Sequence, residues 1–434
     1  MDPRDNPYAP GTGTRPITLV GRDDVLERFD VTMARLEAGR PDAAPLITGS
    51  RGLGKTVLLN ELVKNAQERG WFVASEEVIP GTPLSTLIAV LAHEVLLEMS
   101  GRHRAAAKVR RALGVLKAFT AVSALGVSLS IDADAVTGTA DTGIFSRDLR
   151  HLFIEIGELA REQSVGVAFA LDEVHVLHED ALEDLNSALH QTAQRNLPVV
   201  FLGAGLFPSW QKSGDQREDP TRVDSYEARM YASTYLRLEP LDADSSRRAL
   251  ADTALTEQVT FTDEALDAAV AFCEGNPWMI QLVGSAAWEA AERSPIGLRD
   301  VGEATNRVKR QLYQGFIPRL VRNCSELELS LLTVIANHLD GGGTATFQSL
   351  IELKSCLEDG TTITKGDLTV LLKGLAGRDL IELARIYAFE LFDNVPIDIR
   401  FTVPMLGSYF RRPDLQAGPV GLGQDATPPG HEAL

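Results

Sequence analysis

Gly49-Ser50-Arg51-Gly52-Leu53-Gly54-Lys55-Thr56 is the stretch that decides the fold. It satisfies every fixed position of G-x-x-x-x-G-K-[ST], a loop that turns backbone N–H groups inward around phosphate oxygens. Glycines at 49, 52 and 54 let that loop curl, and Ser50, Arg51, Leu53 and Val57 complete the cradle. Lys55 brings a point charge to the outer phosphates of a nucleotide, and the Thr56 hydroxyl is a ligand for Mg²⁺. Outward from the loop, Pro45-Leu46-Ile47-Thr48 reads as a short strand, and Val57-Leu58-Leu59-Asn60-Glu61-Leu62-Val63 as an apolar-faced helix. The positive N-terminal end of that helix adds to the anion site. A chance glycine turn carrying Lys-Thr would lack this strand–loop–helix setting.

A second motif lies far downstream. Val165-Gly166-Val167-Ala168-Phe169-Ala170-Leu171-Asp172-Glu173 describes a buried parallel strand that delivers two carboxylates at its C-terminal end. Asp172 is placed to hold Mg²⁺ through water or beside Thr56, and Glu173 to polarise an attacking water. His175 and His178 follow; two histidines at i, i+3 fall short of a zinc set. His175 stands where it can link this strand to a γ-phosphate. The strand 197–205 ends in Gly203-Ala204-Gly205, where many ATPases carry a polar γ-phosphate sensor, so a side-chain sensor is missing. Arg229, in Tyr226-Glu227-Ala228-Arg229-Met230-Tyr231, reads either as an arginine finger toward a neighbouring subunit or as a locally paired arginine.

At 434 residues the chain suggests two or three domains, and 44% hydrophobic residues suit a substantial core. No apolar run approaches the ~20 residues of a membrane helix, and the first residues lack a signal-peptide layout. A cytoplasmic protein with no membrane partner is therefore expected. Cys273, Cys324 and Cys356 form neither a disulfide framework nor a zinc motif, so reduced thiols are expected. With a net charge of −18, nucleic-acid contact would need a local basic patch.

Residues 1–15, rich in Pro, Gly and Thr, read as a flexible leader. Leu19-Val20-Gly21-Arg22 then opens an amphipathic helix with Asp23 as its N-cap. Basic residues Arg102, Arg104, Lys108, Arg110, Arg111 and Lys117 cluster on one helix; charge runs of this size are usually solvated faces, the alternative being a nucleic-acid or partner contact. The alternation over 126–134 predicts a strand or hairpin. The core spans 16–240, followed by a helical lid over 241–317 in which Gly275-Asn276-Pro277 separates two helices. Over 318–412, helical patterns at 325–337, 346–354 and 365–374 precede strands at 380–383 and 398–403, a winged-helix layout. Its third helix, with Lys365, Lys373 and nearby Arg378, would meet DNA. Acidic residues slightly outnumber basic ones there, which leaves protein contacts equally open. Residues 413–434 read as a disordered tail.

These pieces together resemble AAA-type P-loop ATPases of the origin-recognition/initiator and STAND groups. The resemblance rests on Leu19-Val20-Gly21-Arg22, the 49–56 loop, Leu171-Asp172-Glu173, Leu202-Gly203-Ala204-Gly205-Leu206, 226–230, Gly275-Asn276-Pro277 and Phe401-Thr402-Val403-Pro404. It implies an α/β fold: a five-stranded P-loop NTPase parallel sheet with helices on both faces, a helical lid and a C-terminal winged helix. It implies that Leu19, Val20 and Arg22 contact the nucleotide base. Gly275-Asn276-Pro277 stands where initiators carry a sensor arginine; it looks like the STAND form, in which the lid, here Pro277, touches nucleotide without one. ATP and Mg²⁺ are the implied cofactors, with slow hydrolysis and a switch-like role. The rival readings are a nucleotide-gated initiator-like or transposition-helper factor on duplex DNA, and a signalling scaffold whose winged helix meets a protein partner or a second copy.

Overall fold

The computed structural model describes residues 1–434 apart from 12, 45, 102–105, 124–128, 207–234, 341–349, 351–363, 385–397 and 413–434. Five strands, Leu46–Thr48 (β1), Phe72–Glu77 (β2), Val167–Asp172 (β3), Val199–Gly205 (β4) and Tyr235–Arg237 (β5), form one sheet in the order β2-β3-β4-β1-β5. Every neighbouring pair is parallel. The reason is visible in β3 and β4, whose residues are buried almost without a break, as a strand covered on both faces requires. Side chains alternate between two cores. Val167, Phe169 and Leu171 pack with Leu84–Ser100 (α3), Ala106–Val122 (α4), Phe145–Gln163 (α5) and Glu179–Gln194 (α6). Ala168 and Ala170 face the opposite core, shared with Asp23–Glu37 (α1) and Lys55–Glu68 (α2). Because β4 lies between β1 and β3, the loop after β1 and the carboxylates after β3 emerge at the same edge with one strand between them. This is the P-loop NTPase architecture.

Two local expectations are corrected. Of the stretch 126–134, residues 126–128 lie outside the described residues and 129–134 form no strand: their partly buried Leu129, Ile131 and Ala133 pack against the α3–α6 core, and the carbonyls of Ile131 and Ala133 accept from Lys117 of α4. Lys117 Nζ donates to Ala133 O at 2.8 Å, and a Cβ at Gly114 would lie 2.3 Å from Asp134 O, so the segment runs flush along that helix. On α4, two residues of the basic run pair with α5, Lys108 with Glu162 and Arg111 with Glu155 at 2.9 Å, while Arg102 and Arg104 lie outside the described residues. At α1 the N-cap is Arg22, not Asp23, and it makes no side-chain cap bond.

The chain divides into two units, Met1–Thr305 and Asn306–Leu434. Within the first, helices Ala243–Leu255 (α7), Asp263–Cys273 (α8) and Pro277–Ala290 (α9) each begin with a polar cap: Asp242, Thr262 and Asn276 accept from Ser245, Ala265 and Met279 N–H. The leader is ordered against these helices. Tyr8 is 5% exposed and its hydroxyl donates to Leu250 O at 2.6 Å. Its ring fills the space a side chain at Gly284 would need, 2.3 Å from the Cβ position. Trp288 Nε1 donates to Asp2 O at 2.8 Å, and Arg15 pairs with Glu61 of α2 at 2.7 Å. Tyr8→Ala is expected to destabilise the protein by about 3 kcal/mol, and Tyr8→Phe by about 1 kcal/mol, read by denaturant unfolding.

In the second unit, Glu326–Asp340 (α10) and Lys365–Gly377 (α11) precede an antiparallel pair, Ile381–Ala384 (β6) and Asp398–Phe401 (β7). A capping box between Thr364 and Asp367 starts α11. The middle helix expected at 346–354 and the tail 413–434 lie outside the described residues, apart from Leu350. Among the described residues no helix is long and apolar enough to cross a membrane.

Candidate active site

The loop after β1 is shaped by its glycines. Gly52 and Gly54 have φ of +79° and +86°, a left-handed conformation that glycine adopts without the strain a side chain brings. Gly54 caps α2, so Lys55 is its first residue and the free N–H groups of that helix open into the loop. Leu53 is buried in the α1–α2 core and anchors the loop; Ser50, Thr56 and Val57 are half-buried, and Arg51 is exposed. Lys55 is only 8% exposed, and its ammonium donates to Ser50 O at 2.9 Å.

Asp172 ends β3, and its carboxylate accepts from Glu173 N–H at 2.8 Å. Glu173 itself sits at φ +56° and turns the chain sharply away from the strand. Burial, and then the charge of Asp172, push its carboxyl above the usual carboxylate range; Lys55 and Arg51 pull the other way. That those two cations act on Glu173 is the electrostatic sign that loop and strand end share one site. His175 Nδ1 lies 3.2 Å from Glu173 Oε2 and 3.3 Å from Leu206 N.

Two further segments close on the loop. Arg22 donates to Leu53 O at 3.2 Å and to Glu239 O at 3.0 Å, with burial lowering its pKa, while Val20 is buried and Leu19 half-buried. From the lid, Asn276 Nδ2 donates to Arg51 O and Trp278 N–H to Gly52 O, each at 3.1 Å. Asn276 is 5% exposed, and Pro277 beside it is half-buried. A Cβ on Gly52 would stand 2.7 Å from Asn276 Oδ1, so this loop position also needs glycine for its contact with the lid.

Residues 18–202 match an AAA ATPase domain. No curated protein matches the chain. Over 94% of this chain and 97% of the other, it resembles the Aeropyrum pernix ORC2 protein, solved as ADPNP-ADP complexes, at 14% identity and a TM-score of 0.53. Similarity to the Pyrobaculum aerophilum Cdc6p structure covers 92% of this chain and 96% of that one, at 15% identity and a TM-score of 0.42. For the Thermotoga maritima RuvB branch migration motor the figures are 86%, 93%, 14% and 0.40. The AAA match takes in the Leu19–Arg22 turn, the loop and both carboxylates; the lid and the second unit lie beyond it.

The loop, Asp172, Glu173 and the Arg22 turn are thus gathered at one place, and the lid brings Asn276 and Pro277 beside the loop. Arg229 lies outside the described residues. For Mg²⁺ the donor set fits: one hydroxyl and one carboxylate suit an ion that takes its remaining ligands from phosphate and water. Among the described residues there is no group of three or more His, Cys, Asp or Glu that could hold a metal by itself. Sequence reasoning named Pro277 for contact with nucleotide; the bond from Asn276 to the loop was not foreseen, although Asn before Pro is a helix-start signal. Asn276→Ala is expected to destabilise the lid by about 1–2 kcal/mol, read by thermal unfolding, since the cap bond and the bond to Arg51 O are both lost.

Proposed function

We propose that this chain binds ATP at the 49–56 loop, hydrolyses it slowly and acts as a nucleotide-dependent conformational switch. One observation carries the reading: the loop that cradles phosphate is also hydrogen-bonded to the first turn of α9 through Arg51 O and Gly52 O. Any change in the loop on gaining or losing a γ-phosphate is then felt by the lid. Thr56 and Asp172 would hold Mg²⁺, whose role when bound is to neutralise phosphate charge. Lys55 and the loop N–H groups bind and orient the phosphates, Glu173 orients water, and Leu19, Val20, Arg22 and Pro277 border the nucleotide. Slow turnover follows from few charge donors: β4 ends in Gly-Ala-Gly, and the lid presents Asn-Pro-Trp in place of an arginine. Free Cys273 and Cys324 suit the reducing cytoplasm. Nucleotide titration and turnover, with Lys55→Met and Glu173→Gln beside the wild type, test the reading; turnover indifferent to both would sink it.

For the second unit, a winged helix that meets a protein is favoured over one that meets duplex DNA. Arg378 is engaged by Glu328 and by Asn323 O at 3.3 Å, and the outer side of α11 shows Asp367 and Val370, the latter 69% exposed. Duplex binding that weakens steeply as salt rises would reverse that preference. Assembly that depends on ATP would support Arg229 as a finger acting on a second copy.

A further inference from the structure

We infer that His175 is a positioning residue for Glu173, occupying the room that Gly205 leaves at the end of β4; this rests on the hydrolytic reading above. The local geometry makes the case. After Glu173 the chain makes one 3₁₀ turn, Val174–Val176, which carries His175 back across the end of β4. A Cβ on Gly205 would lie 3.0 Å from His175 N and 3.3 Å from His175 Nδ1, and one on Gly203 would lie 3.4 Å from Val174 Cγ1. Gly205, which leaves the end of β4 without a polar side chain, is thus what admits the turn. A polar group still reaches the end of this strand, supplied from β3 instead.

The ring's contacts show what that group does. Nδ1 is 3.2 Å from Glu173 Oε2 and 3.3 Å from Leu206 N. These partners need opposite roles of one nitrogen: a carboxylate accepts from a ring N–H, whereas a backbone N–H donates to a ring lone pair. Nδ1 can therefore satisfy only one of them at a time. With the proton on Nδ1 the imidazole holds Glu173 back beside β4. With the proton on Nε2 it accepts from Leu206 N–H and Glu173 is released toward the phosphates. Both settings are neutral imidazole, so the exchange needs a tautomer change and no change in charge. The orientation of Glu173 is in this way tied to the hydrogen bonding of Leu206, the residue that follows β4.

Three substitutions separate this role from simple packing. Asn places a polar atom where Nδ1 stands, Gln places one where Nε2 stands, and Ala removes both. His175→Ala and His175→Gln are expected to lower kcat for ATP by about 10-fold or more, a fraction of the effect of the base itself, while His175→Asn stays close to wild type. Affinity for a non-hydrolysable ATP analogue should remain within about 2-fold in all three, because the substitutions lie beyond β3 and leave the residues of the 49–56 loop unchanged. Gly205→Ala, which pushes a methyl against His175, should reproduce the loss. Wild-type kcat in His175→Ala, or rescue by Gln rather than Asn, would overturn the inference. Amide exchange at Leu206 in the nucleotide-free protein supplies a readout that needs no turnover. It should quicken in His175→Ala and recover in His175→Asn, and unchanged exchange again overturns the inference. Failure of the hydrolytic reading is seen separately, as turnover that Glu173→Gln leaves intact.

Discussion

Glu173→Gln is expected to lower ATP turnover by roughly 10²–10⁴-fold while ATP still binds, because an amide keeps the shape of the carboxylate and cannot take a proton from water. The same substitution has a second, opposite signature in stability. Burial and the neighbouring Asp172 raise the carboxyl's pKa in the folded protein above the usual carboxylate range. Below the unfolded pKa the group is neutral in both states and exacts no penalty. As pH rises through the unfolded and then the folded pKa, ionisation is opposed only in the folded state, so wild-type stability falls across that window. The Gln variant lacks this penalty. It should melt above wild type at pH 7 and together with it once the pH drops below about 4. The side chain is 38% exposed, so solvent screening keeps the difference to roughly a degree or two. In the wild type, the acid limb of the rate profile should lie above the ordinary carboxylate range, since turnover needs the ionised form. Full turnover in the Gln variant would remove Glu173 from the chemistry.

The loop at 49–56 was legible because each residue there answers to a requirement that sequence can state: glycine where φ is positive, a cation and a hydroxyl where a helix begins. Strand β3 was legible for a similar reason, since a strand buried on both faces must be apolar throughout. The misreadings share a cause. Residues 129–134 alternate because they pack beside α4 rather than within a ladder, and local pattern cannot distinguish these. The Pro- and Gly-rich leader has no periodicity of its own; its order comes from burying Tyr8 among helices hundreds of residues away. Asn276 announced its cap but not its bond to Arg51 O, which spans 225 positions. With His175 and Gly205 the two residues were each visible, one just after the Asp172-Glu173 pair and the other as a missing sensor. Only the fold shows that the second makes room for the first.

Lys55→Met is expected to reduce turnover by about 10³-fold or more and to weaken ATP binding, with a melting temperature equal to or above that of wild type. The two halves of this result have one origin. Lys55 is 8% exposed and its ammonium donates to Ser50 O, so the fold bears much of the desolvation of a cation at this loop. Methionine fills a similar volume without that burden. Removing Lys55 also removes a charge that favours ionised Glu173, so the remaining turnover should lose its acid limb at higher pH than in wild type. The double variant Lys55→Met/Glu173→Gln should be scarcely slower than the worse single one, because the two residues serve one transition state. Thermal unfolding and turnover on the same three proteins check all of this. A Met variant that hydrolyses normally, or one that melts several degrees lower, would mean that Lys55 serves the fold and that the loop is not a phosphate site.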